Sequence, residues 1–116
     1  MTRNIPSTFD EEFAIPKGLS WIGLKVASAI RSYAKKRNLR SYGCTTFYSP
    51  QQWKDRKEDW GTESELIIVH DGGDIARFFN YDYGDYDEIE RMNKILKRYG
   101  LYFESCTCWY SAIYKL

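Results

Sequence analysis

From Gly18 onward apolar residues recur at three- and four-residue steps: Leu19, Ile22, Val26, Ile30, Tyr33 and Ala34. That spacing gives one apolar face and predicts an amphipathic helix. Arg31, Lys35, Lys36 and Arg37 fall in its last turns, where cations meet the negative end of the helix dipole, and Asn38 is a suitable stop. Residues 42–48, Tyr-Gly-Cys-Thr-Thr-Phe-Tyr, are rich in β-formers and predict a strand. Ser49-Pro50 then reads as the N-cap and first-turn proline of a short helix that carries Trp53 and Trp60 and ends at Gly61. Leu66-Ile67-Ile68-Val69 is a continuous apolar run, the pattern of a strand buried on both faces. The Asp71-Gly72-Gly73-Asp74 that follows is a strong turn signal.

Beyond the turn, Ile75, Phe78 and Phe79 fit a short helix better than a returning hairpin strand through residues 76–81. Tyr81–Gly84 reads as a loop. Ile89, Met92, Ile95, Leu96 and Tyr99 predict a second amphipathic helix over Asp85–Tyr99, with Gly100 as its stop. The β-rich tail from Leu101 to Tyr114 is either one long strand or two strands turning near Cys106-Thr107. At the other end Pro6 and Pro16 break helices, so residues 1–16 are expected to form an extended arm that Phe9, Phe13 and Ile15 anchor. The sum is an α+β protein. Residues 17–116 form a single two-layer domain, a small mixed or antiparallel sheet with two main amphipathic helices.

Composition narrows the class. At 116 residues the chain has room for one core, and 43% hydrophobic with 28% charged residues excludes wholesale disorder. No apolar run approaches the roughly 18 residues of a membrane span. Asp10, Glu11 and Glu12 in a start without an apolar stretch argue against a secretory leader and for a cytoplasmic protein. Three cysteines, an odd count, fit free thiols in a reducing compartment. An aromatic content of 17% is high for so small a core, and Tyr or Trp left at the surface suits a recognition patch.

Net charge is +1, against both a wholly acidic nucleic-acid mimic and a wholly basic nucleic-acid coat. Along the chain the balance is uneven. Residues 17–57 hold ten Lys/Arg against Asp55, a net +9, and residues 63–90 hold nine acids against Arg77, a net −8. Folded to opposite sides these segments would steer charged partners; packed side by side they would neutralise each other.

Three surfaces carry candidate chemistry. His70, the only histidine, opens the turn His70, Asp71, Gly72, Gly73, Asp74, where glycine amides could approach an anion. No nucleotide-loop spacing accompanies it. A Cys44–His70 pair oriented by Asp71 or Asp74 has nucleophile chemistry in its residue types, and Cys44, His70, Cys106 and Cys108 are zinc-ligand types, but neither set has a supporting local signature. Asp82, Asp85, Asp87 and Glu88 supply oxygen ligands without the calcium-loop order, and acids at a helix start need no ion to explain them. No catalytic residue, metal or cofactor is therefore assigned, and a small enzyme or ligand-binding domain centred on His70–Asp74 stays as the alternative reading. The second surface is the basic helix end, Arg31, Lys35, Lys36, Arg37 and Arg40, which suits a nucleic-acid or other anionic partner. The third is the acidic, tyrosine-rich stretch Tyr81, Asp82, Tyr83, Asp85, Tyr86, which suits a basic protein surface.

Small size, aromatic density, uneven charge and the lack of a catalytic signature together resemble the single-domain accessory proteins of phages and plasmids, among them anti-CRISPR and other anti-defence proteins. That resemblance implies a non-enzymatic inhibitor or modulator of a host protein or nucleoprotein complex, with no membrane partner. It assigns no residues.

Overall fold

A computed structural model describes residues 8–116. Thr8 caps the first helix, α1 (Phe9–Glu12), by accepting a hydrogen bond from the Glu11 amide at 3.2 Å. Asp10, Glu11 and Glu12 occupy its first turn, where negative charge is favoured. Residues 9–12 are thus helical where an extended arm was expected, because a side-chain cap and an acidic first turn favour helix there; residues 1–7, with Pro6, lie outside the described part. Phe9 stacks on Phe13 at 4.6 Å, and Phe13 is wholly buried.

The long helix α2 (Trp21–Lys36) starts three residues later than Gly18, because Ser20 is the N-cap and accepts from Gly23 N at 3.1 Å. It ends where expected, with Asn38 in the left-handed region. The strand expected over residues 42–48 shrinks to β1 (Phe47–Tyr48). Tyr42 and Gly43 adopt positive φ, and the Ser41 and Gly43 amides point at the buried Glu12 carboxylate instead of into a ladder. Helix α3 (Pro50–Asp55) has the predicted Ser49 cap, completed by Gln52 as a capping box. It stops short of Gly61 because Lys57 turns left-handed, which leaves Trp60 exposed beyond it.

Strand β2 (Leu66–Val69), the short helix α4 (Ala76–Phe79) and the amphipathic helix α5 (Tyr86–Lys97) follow as the pattern predicts. A 3₁₀ turn, Tyr81–Tyr83, occupies the predicted loop. The tail is a hairpin of β3 (Leu101–Ser105) and β4 (Tyr110–Lys115). Among the described residues the sheet is four-stranded in the order β1-β2-β4-β3, and every neighbouring pair is antiparallel. The architecture is therefore a compact α+β domain, two main helices on an antiparallel sheet.

Alternation along β2 explains why its apolar run is unbroken. Leu66 and Ile68 face the main core, where they meet Val26 and Ile30 of α2, Phe78 and Phe79 of α4, and Met92 and Leu96 of α5. Ile67 and Val69 face the opposite side and join Trp53 of α3, Tyr110 and Ala112. Both faces of β2 are covered, so its four residues are all apolar.

Candidate functional site

The His70 turn is built for structure. His70 follows β2 and is 1% exposed, its ring parallel to that of Phe79 with centroids 6.1 Å apart. Ser111 Oγ donates to the Phe79 carbonyl at 3.3 Å, so its lone pairs are left for His70 Nε2 at 3.1 Å. Nε2 then carries the proton. Burial pushes the imidazole pKa down to about 4, against a smaller upward pull from Asp71, and the ring is neutral at physiological pH. Asp74 accepts from the Arg40 amide at 2.9 Å and from the Tyr42 hydroxyl at 3.1 Å. The Gly73 and Asp74 amides are taken by the His70 and Arg40 carbonyls, so the turn spends them on itself. Asp71 and Gly72 stay exposed.

Cys44 Sγ points at the Asp71 carbonyl, 3.5 Å away, and not at His70. Burial, with Asp71 and Glu12 nearby, raises its thiol pKa, the wrong direction for a nucleophile. Cys106, pushed up to about 11 by burial and then by Glu104, is a poor thiolate as well. No three His, Cys, Asp or Glu side chains come together as a metal site among the described residues.

The basic helix end is partly spent on holding the fold. Arg31 pairs with Asp10 at 2.7 Å, and Arg40 binds the buried Glu12 through Nε and Nη2, both at 2.9 Å. Glu12 is pushed up by burial, but hydrogen bonds from Arg40, Ser41 and Gly43 more than compensate and leave its pKa lowered. Arg37 reaches Glu88 at 3.0 Å and the Tyr33 hydroxyl. Lys35 and Lys36 remain exposed with no ion pair to a described residue.

The tyrosine stretch is different. Asn80 Oδ1 accepts from Asp82 N at 2.9 Å, Gly84 takes the left-handed conformation, and Asp85 caps α5 through Glu88 N. Tyr81 stacks on Phe103 at 5.9 Å. The backbone is thereby pinned at three points while Tyr81, Tyr83 and Tyr86 stay 51%, 54% and 66% exposed. Asp82, between Tyr81 and Tyr83, and Asp87, just after Tyr86, are exposed with no ion pair to a described residue.

One surface was not foreseen. Arg91, Lys94 and Arg98 recur at i, i+3 and i+7 along α5 and its C-cap, and the fold lays this face beside Lys36, the last residue of α2, and Arg37, its C-cap. Between the helices runs an open groove of about 670 Å³. The i, i+3, i+7 spacing was visible in the sequence, but nothing there said which distant helix it would face. Comparison of the chain with protein-family models, with curated proteins and with solved structures finds no match.

Proposed function

We propose that this chain is a non-enzymatic binding protein that occupies a basic surface of a host protein or nucleoprotein complex through Tyr81–Tyr86. The observation that supports this best is three tyrosine rings, each more than half exposed, on a loop whose backbone is fixed before any partner arrives. Rigid rings add contact area at low entropy cost, and tyrosine is enriched among the residues that dominate interfaces. Asp82 and Asp87, unpaired within the described residues, would guide a cationic partner and suppress an anionic one. The likeness to phage and plasmid accessory proteins makes a host component the natural target and inhibition or modulation the natural consequence.

The test is a tagged pull-down from lysate of the host, with and without nuclease, using the wild type and Tyr83→Ala/Tyr86→Ala. The expected result is one stoichiometric protein that survives nuclease and is lost with the double variant, whose melting temperature is unchanged. Recovery that disappears with nuclease would transfer the activity to nucleic acid and the basic helix end, and equal recovery by the variant would remove the loop from the interface.

A further inference from the structure

From the groove between α2 and α5 we infer a second docking site, for an acidic amphipathic helix of a protein partner. It stands on observations separate from the tyrosine loop. The rim carries Lys36, Arg37, Arg91, Lys94 and Arg98. Arg37 and Arg91 share the single carboxylate of Glu88, at 3.0 Å and 3.5 Å. Lys36, Lys94 and Arg98 have no ion pair with a described residue, so the rim keeps a positive excess that the fold itself does not use.

The floor is apolar. Ala29 of α2 is half-buried and Ile95 of α5 is only 8% exposed, and both line the groove below the charges. A cationic rim over an apolar floor complements a segment with acids on one side and aliphatic side chains on the other. The groove follows α2 from Ala29 to Arg37, roughly 12 Å at the helical rise, which matches about two turns of a partner helix.

A nucleic-acid strand fits less well. Its bases need open aromatic faces, and of the two tyrosines that line the groove Tyr33 is covered by the Arg37 guanidinium at 5.4 Å and packs edge-on against Phe78 at 5.8 Å, which leaves Tyr99 alone to stack on a base. A strand held by phosphates alone would leave the apolar floor unused. The tyrosine loop of a second copy has the right charge, but it is a 3₁₀ turn of tyrosines and lacks the aliphatic helix face that the floor complements.

The experiment uses a fluorescein-labelled helical peptide with Leu at i, i+3, i+4 and i+7 and Glu elsewhere. A Lys-for-Glu version of it and a short single-stranded oligonucleotide are titrated beside it. The Glu peptide is expected to bind, with backbone amide shifts confined to residues 29–37 and 91–99. Its affinity should fall about tenfold in Lys94→Glu/Arg98→Glu, and it should fall in Lys36→Glu on the opposite helix as well. All three side chains are exposed, so the variants should keep their fold, and their melting curves check this. Tyr83→Ala/Tyr86→Ala should bind the peptide like the wild type. Equal binding of the Lys peptide, shifts mapping elsewhere, or no saturable binding would overturn the proposal. Tighter binding of the oligonucleotide would assign the groove to nucleic acid instead. Self-association on sedimentation that is lost in Lys94→Glu/Arg98→Glu would assign it to a second copy.

Discussion

At the scale of single residues, burial of Glu12 and of His70 makes the fold acid-sensitive in separate pH windows. His70 stays neutral in the folded state down to about 4, whereas in the unfolded chain it takes up a proton below 6.5. The unfolded state therefore binds more protons as pH falls from 6.5 towards 4, and stability declines across that window by about 3 kcal/mol once complete. Glu12 acts lower. Its folded pKa is depressed below 4.5, so its contribution is fully present above 4.5 and is lost as pH falls through the folded value. His70→Gln keeps a side-chain donor for Ser111 but cannot charge, so its melting temperature should be flat between pH 6.5 and 4.5, where that of the wild type declines. Both proteins should still fall at lower pH. Thermal melts across pH 3–7.5 check this, and a parallel decline of the two curves above pH 4.5 would mean that His70 is not the titrating group.

At the scale of elements, the tightest join is where α2 starts against the entry to β2. A Cβ on Gly23 would lie 2.5 Å from the Glu65 carbonyl oxygen, a backbone atom that cannot swing away, and Ser20 Oγ is already bonded to Glu65 Oε1 at 2.6 Å. Gly23→Ala gains intrinsic helix propensity of about 1 kcal/mol, but the overlap forces helix and strand apart, and overpacking of this kind costs about 1–3 kcal/mol. Net destabilisation of about 1 kcal/mol is expected in urea melts; a stabilised variant would show that the two elements are not in contact. This join also separates what the sequence could reveal from what it could not. The apolar periods of α2, α5 and β2, the Ser49-Pro50 start and the Gly100 stop are local, and all were legible. The path of residues 40–46 was not, because it is dictated by Glu12, a carboxylate some thirty positions upstream that collects Arg40 and two backbone amides. The cationic groove was half legible for the same reason: its spacing on α5 lies in one segment, whereas its other wall belongs to α2. The tyrosine loop, the basic helix end and the His70 turn, each contiguous in sequence, could be named before the fold was known.

At the scale of the molecule, the two charged segments of the sequence partly neutralise each other, one of the two arrangements that the totals left open. The positive 17–57 segment and the negative 63–90 segment meet in the pairs Arg37–Glu88 and Lys54–Glu63, and Arg31 and Arg40 are matched by acids of α1. Charge of both signs also lies along α5. Asp87 and Glu90 lie in its first half and Lys94 and Lys97 in its second, the order that its dipole favours. The acids beside the tyrosine loop therefore sit on the same rod as the cationic rim. Asp87 lies roughly 10 Å along the axis from Lys94 and roughly 16 Å from Arg98 at the helical rise. That separation exceeds the screening length of about 8 Å at physiological salt and falls inside the length of about 30 Å at 0.01 M. An acidic ligand in the groove should thus feel Asp82 and Asp87 as repulsion only when salt is low. The variant Asp82→Asn/Asp87→Asn is expected to bind the Glu peptide several-fold more tightly than the wild type at about 0.01 M salt and within about twofold of it at about 0.15 M. Anisotropy titrations at the two ionic strengths decide it. An unchanged ratio of affinities at both would mean that the peptide touches the acids directly, making loop and groove one surface rather than two.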